Sequence, residues 1–249
     1  MRQLIVYLIM VAIVVSARSG EAAVDHSSWD ALLKRYVDDN GRVAYRTLQT
    51  RDQATFERYL TALAQAQVAG MTEAEEKAFW INAYNAAIIS GILQGHTAEG
   101  VFARKQLFSW HTVPIAGKER SPDEIEHKIL RKKFNDPRIH LTIVCASTSC
   151  PKLRREAYVA DRLDQQLDDA TRAFINDPTR NRIDPQQLAL SMIFQWFAED
   201  FVRGAGSAPQ FVQRYVDDSK KEILDAGKNT LRYLEYDWTL NAQEGQRIS

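Results

Sequence analysis

The stretch from Thr72 to Gly95 constrains this chain more than any other. Thr72-Glu73-Ala74-Glu75 has the form of a capping box, in which a threonine hydroxyl and a glutamate carboxylate trade hydrogen bonds with the first N–H groups of a helix. Gly95 supplies the stop, because glycine readily enters the left-handed conformation that ends helices. Between them, Ala78-Phe79-Trp80-Ile81-Asn82-Ala83-Tyr84-Asn85-Ala86-Ala87-Ile88-Ile89 is apolar nearly all round. A surface helix keeps a polar face, so one without it must be enclosed by protein. The rest of the chain has to supply that enclosure.

Most of the remaining patterns are helical. Trp29, Leu32, Leu33 and Tyr36 share a face over residues 28–36, as do Phe56, Tyr59, Leu60 and Leu63 over 55–66, and Leu163, Leu167, Ala170 and Phe174 over 161–175. Ser121-Pro122-Asp123-Glu124 opens another helix: serine caps, proline takes the first position and glutamate closes the box. A helix is expected from Ser191 through Phe201, with shorter ones at 211–215 and 220–224. Strand signals are brief: residues 43–45, a hairpin of 112–115 with 118–120, residues 188–190, an alternating run at 231–238, and the apolar run from Ile139 to Cys145. The expected fold is α+β, a mainly helical single domain with a small, mostly antiparallel sheet and a central buried helix. Residues 23–55 read as an N-terminal helical extension, 56–241 as the domain and 242–249 as a disordered tail.

The N-terminus has the form of a secretory signal peptide. Arg2 precedes an apolar core from Leu4 to Val15, and small residues follow up to Ala23. The core is shorter than the roughly 20 apolar residues of a membrane span. Cleavage is expected after Ala22, with Val15-Ser16-Ala17 as a rival site and an uncleaved anchor as the alternative reading. The mature chain then has 227 residues and a net charge of −1. Without a basic excess, nucleic acid is not an expected partner, and membrane contact is expected only through the signal segment before its removal. The expected location is exported, periplasmic or secreted.

Two buried polar sites draw attention. Asn82 and Asn85 lie three apart on the apolar helix, so they share a face, and each amide needs partners there. They either pin neighbouring backbone or face a site. Cys145 and Cys150 are the only cysteines, set in Cys145-Ala146-Ser147-Thr148-Ser149-Cys150-Pro151. In an oxidising compartment such a pair is often bridged, whereas a free thiol at the end of a strand is a candidate nucleophile. A nucleophilic Cys145 needs a base. If residues 140–145 are one strand, His140 stands ~16 Å away on the opposite face. His127, beside Glu126 on the preceding helix, is then the better partner. No His, Cys and carboxylate cluster has metal-ligand spacing and no Gly-rich phosphate loop is present, so no metal or cofactor is expected.

Together these motifs resemble the DUF547 domain family, an uncharacterised family, in its exported bacterial form. The matching stretches are Phe79 to Ala86, Ser121 to Arg131 with Ile125-Glu126-His127, Arg138-Ile139-His140-Leu141 leading to Pro151, and Tyr236-Asp237-Trp238. The resemblance implies a fold unit and a set of residues rather than a reaction: Asn82, Asn85, Glu126, His140 and Cys145, with His127 and Cys150.

Three functions fit these residues. In the first, a thiol-dependent hydrolase or acyl transferase uses Cys145 to attack an amide or ester, with His127 and Glu126 as base and orienter and Asn82 or Asn85 polarising the carbonyl. In the second, His140, Ser147, Ser149 and Cys150 help bind a small polar molecule or thiol peptide without turnover. In the third, a disulfide-bridged domain acts through a partner surface. Removal of the N-terminal segment is the testable part of this reading: intact-mass measurement of secreted or periplasmic protein should find the chain starting near Ala23, and a retained Met1 would favour the anchor.

Overall fold

Helix α3, Glu73–Leu93, forms the axis of the molecule in the computed structural model, which describes residues 24–185, 187–225 and 230–248. The expected signal segment lies outside the described residues. The capping box is present: Thr72 N–H donates to Glu75 Oε2 (2.7 Å) and Glu75 N–H to Thr72 Oγ1 (3.3 Å). Gly95 follows with φ +87°, as its role in ending the helix requires. Every residue from Glu76 to Ile92 is buried.

Helices α1 (Ser27–Tyr36) and α2 (Tyr45–Gln65) pack together beside α3, with Trp29 stacked on Tyr59 at 5.4 Å. The boundary expected after residue 55 falls inside α2, which bends at Asp52 but does not stop. Trp29, Leu32 and Tyr36 share one apolar cluster with Phe79, Ile81 and Ile88. The segment expected as a disordered tail is tied to the same region over its described residues. Val43 N–H donates to Asn241 O (2.9 Å), Gln243 N–H to Val43 O (3.0 Å) and Arg46 N–H to Gln246 O (3.1 Å). The buried Tyr45 hydroxyl, which needs a partner, donates to Asn241 Oδ1 (2.7 Å).

After α4 (Val101–Lys105), which runs into a π-helical turn at Gln106–Trp110, strands β1 (Val113–Ile115) and β2 (Lys118–Arg120) form the expected antiparallel hairpin. Ala116 and Gly117 both take positive φ, as a tight hairpin turn of this length demands. Ser121 caps α5 (Pro122–Glu124), which continues as a π-helical stretch, Ile125–Leu130, and then as α6 (Arg131–Phe134).

The expected strand at 139–145 does not form. Pro137–Leu141 is a 3₁₀ helix, because Pro137 takes its first position and Asp136 accepts from Arg138 N–H (3.1 Å). An N-cap followed by proline starts a helical turn, and the apolar run after it does not override it.

Helix α7 (Leu163–Asn176) leads to a second apolar cluster. There, β3 (Arg182–Asp184) pairs antiparallel with β4 (Gln187–Leu190), and β5 (Thr230–Tyr233) joins β4 in parallel, which makes this small sheet mixed. The parallel pair is bridged by α8 (Ile193–Trp196), α9 (Ala198–Ala205), α10 (Ala208–Tyr215) and α11 (Asp218–Asp225), the crossover such pairing needs. The helix expected over 191–201 is thus two pieces, interrupted at Phe197. Ile139, Ile143 and Val144 belong to the first cluster and Leu141 to the second, so the 3₁₀ segment is the seam between them.

The amides of α3 hold this seam in place. Asn82 donates to Tyr158 O (2.8 Å) and accepts from Tyr158 N–H (3.0 Å). Asn85 donates to Thr142 O (3.2 Å) and accepts from Val144 N–H (2.9 Å). Replacing Asn82 by Ala leaves both backbone groups of Tyr158 buried without a partner. Urea unfolding of Asn82→Ala should show a loss of about 2–4 kcal/mol, and a loss below half a kcal/mol would contradict the clamp.

Candidate functional site

The seam opens into a cavity of about 180 Å³. Its polar lining includes Asp123, Glu126, His127 and His140, and Cys145 and Cys150 also line it. Aromatic rings from Tyr84, Phe108, Trp196, Phe197, Tyr236 and Trp238 form most of the remaining wall. The cavity therefore gathers one face of the α5–α6 helix, the 3₁₀ segment, the cysteine loop, α8 and the strip after β5. Sites of small ligands commonly occupy such junctions between packed units.

The cysteine loop is shaped by its backbone. Ala146 sits between Cys145 and Ser147 with φ +57°, a left-handed conformation that a residue with a Cβ adopts at a cost of about 1–2 kcal/mol. Thr148 N–H donates to Thr239 O (2.7 Å), Ser149 N–H to Asp237 O (3.1 Å) and Asp237 N–H to Ser149 Oγ (2.9 Å). Ser149, expected as a binding residue, is thus a fastener for the strip that carries Tyr236 and Trp238. Cys145 and Cys150 are paired at disulfide distance, with Cα atoms 6.1 Å apart. Cys150 is buried, while Cys145 is half-buried. Around the Cys145 sulfur stand the hydroxyls of Ser147 (2.9 Å) and Tyr236 (3.1 Å). A bridged sulfur carries no hydrogen, so the hydroxyls are the donors. Burial pushes the Tyr236 hydroxyl well above the ordinary tyrosine range, against the opposing hydrogen bond from Ser147, so it stays protonated.

His140 is held on several sides. Asp200 Oδ2 lies 2.7 Å from its Nε2, Glu126 Oε1 lies 3.5 Å from its Nδ1, and the Phe197 ring stacks on it at 3.8 Å. Asp200 also accepts from Arg131 Nε (2.6 Å) and pairs with Arg203. Burial alone would raise the Asp200 carboxyl. Hydrogen bonds from His140 and Arg131 outweigh it and hold the group well below the usual carboxylate range. Glu126 has weaker company: Tyr84 O–H donates to its Oε2 at 3.5 Å, and burial above all, then the Glu126 charge, pushes that tyrosine far up.

The structure thus places Glu126, His127, His140, Cys145 and Cys150 on one cavity, with Ser147 against the Cys145 sulfur. Asn82 and Asn85 do not line it; their amides are spent on backbone at Tyr158, Thr142 and Val144. His127, expected as the base, accepts from Arg131 at its Nδ1 (3.0 Å) and is exposed. The objection to His140 rested on a continuous strand, and the 3₁₀ turn removes it. Asp200, Trp196 and Tyr236 are not among the site residues the sequence suggested, although Tyr236 lies in one of the matching stretches. A signal for Asp200 existed: an acid between Phe197 and Phe201 on the apolar face of a helix is a buried charge that needs a partner. Among the described residues, no three His, Cys, Asp or Glu are grouped so as to hold a metal ion.

Residues 68–175 match the model of DUF547, a protein family of unknown function. The matched segment carries α3, Glu126, His140 and both cysteines, and ends before Asp200 and Tyr236. No curated protein and no solved structure matches the chain.

Asp200 gives a pH test. Its carboxyl titrates lower in the folded protein than in the unfolded chain, near 3.9. The stability it contributes is therefore full above about pH 4 and is lost as pH falls further. Asp200→Asn should lower stability near neutral pH by about 3 kcal/mol and flatten the acid limb of a stability-versus-pH curve measured by urea unfolding. An unchanged acid limb would count against this account of Asp200.

Proposed function

We propose that the protein is an exported ligand-binding module whose cavity, walled by aromatic rings and floored by Glu126 and His140, holds a small polar molecule. The carrying observation is that Cys145 lines this cavity while already paired with Cys150 at disulfide distance. A thiolate nucleophile needs a free sulfur, and a bridged one has none to offer. Export rests on the N-terminal sequence pattern and agrees with a cysteine pair suited to an oxidising compartment.

A second reading applies to the reduced state. There Cys145 is the nucleophile of an acyl-transfer reaction and His140, oriented by Asp200, its base. The observation favouring it is that a histidine fixed by a carboxylate at 2.7 Å shares the cavity with Cys145, whose sulfur two hydroxyls contact. A hydrogen bond donated to sulfur favours the thiolate over the thiol. Thiol titration of native, signal-free protein separates the two. The binding reading expects no reactive thiol before reductant and two after it. A free Cys145 in the native protein, with ester or amide turnover abolished by its alkylation, would establish the enzyme instead.

A further inference from the structure

We propose that the cavity selects a small organic cation bearing ammonium N–H groups. The charge would lie against Glu126 and Nδ1 of His140, and the apolar part among Trp196, Tyr236 and Trp238. This deepens the binding reading and rests on it.

The first observation is the charge of the wall. Asp123 and Glu126 stand three apart on one helical face, and both line the cavity. Among the described residues, no lysine or arginine lines it. The nearby guanidinium groups are engaged: Arg131 and Arg203 pair with Asp200, Arg131 also lies over the Phe197 ring, and Arg104 lies over the Trp238 ring. Glu126 is 7% exposed, and its contacts to Tyr84 and His140 are both 3.5 Å long. A buried carboxylate so loosely held is completed by a positive charge.

The second observation is a missing donor. Asp200 takes the Nε2 hydrogen of His140, so in the neutral imidazole the lone pair is on Nδ1. Nδ1 is fully buried and, among the described residues, has no hydrogen-bond partner. Its neighbour at 3.5 Å, Glu126 Oε1, is another acceptor. Two acceptors side by side are satisfied by a group that donates to both. A water brings donors without charge; an ammonium brings three N–H donors and the charge that Glu126 lacks.

The third observation is the wall itself. Trp196, Tyr236 and Trp238 form a corner with ring centroids 4.6–5.6 Å apart. Aromatic faces attract cations and cover apolar chains equally well. The volume, about 180 Å³, holds roughly six waters. It falls below the roughly 300–1,000 Å³ of sites for drug-sized ligands, which selects a short amine over a peptide.

The test uses n-butylammonium chloride and its neutral counterpart n-butanol, titrated into mature oxidised protein by calorimetry at constant ionic strength. Saturable binding of n-butylammonium at least tenfold tighter than n-butanol is expected. Glu126→Gln should weaken it at least tenfold and Trp196→Ala at least threefold, while Trp110→Ala, an exposed ring outside the cavity, should leave it unchanged. If thermal melting shows that Glu126→Gln does not fold, the half-buried Asp123→Asn replaces it, with a loss of at least threefold. Equal binding of both probes, lost in Trp196→Ala, would overturn the cation assignment and leave the cavity a ligand site. Saturable binding of neither probe would overturn this inference, whereas the binding reading falls only if the native protein has a free Cys145 thiol that supports turnover. Unchanged affinity in a folded Glu126→Gln or Asp123→Asn would remove the charge from the argument.

Discussion

Everything in this molecule is arranged around the bonding demands of α3. A helix buried on all sides has no water to satisfy a polar side chain, so Asn82 and Asn85 must find partners in protein. Each amide offers a donor and an acceptor, and each meets complementary backbone groups of an irregular segment: one residue at Tyr158, two at Thr142 and Val144. Regular structure satisfies its own backbone. The irregular chain from 142 to 158 needs help from outside, and α3 supplies it. The cysteine loop therefore has a fixed origin: Val144 is anchored to the central helix one residue before Cys145.

The two apolar clusters explain where the cavity lies. Side chains of the first cluster surround α3, and those of the second fill the space between α7, α9, α10 and β4. Two cores meeting along a short 3₁₀ segment cannot close perfectly, and His140 sits in that segment with its imidazole against Phe197 from the second cluster. Asp200 comes from α9, Glu126 from the α5–α6 helix and Tyr236 from beyond β5, so the polar floor is assembled across the join. The charge of Asp200 is balanced within this arrangement by Arg131 and Arg203, whereas Glu126 meets Tyr84 and His140 at 3.5 Å each.

Much of the helical framework was legible because its signals are local. The cap at Thr72, the cap and proline at Ser121-Pro122, and the apolar faces of α1, α2 and α7 each declare themselves within a dozen residues. The apolar run after Asp136-Pro137 misled because composition suggested a strand while the cap imposed a turn. The strip after residue 234 misled in the opposite way, since its alternation reflects contacts with the cysteine loop rather than a sheet. In the candidate site, Glu126, His140 and the cysteines could be named from the sequence. Their partners Asp200 and Tyr236 could not, because each comes from 60 or more residues beyond the group it touches. The roles of Asn82 and Asn85 were ambiguous for a related reason: a buried amide on a helix looks the same whether it serves backbone or ligand.

The lacing of the cysteine loop to residues 237–241, and of those residues to Val43 and Tyr45, sets an order of assembly. Cys145 and Cys150 are close in the chain and can meet as soon as both have been synthesised. Tyr236 and Trp238 emerge some 90 residues later, and only then can the aromatic corner close over the sulfur pair. Docking of the last strip therefore sets the Tyr236 hydroxyl against the Cys145 sulfur, which couples access to the sulfur pair to the seating of residues 236–241.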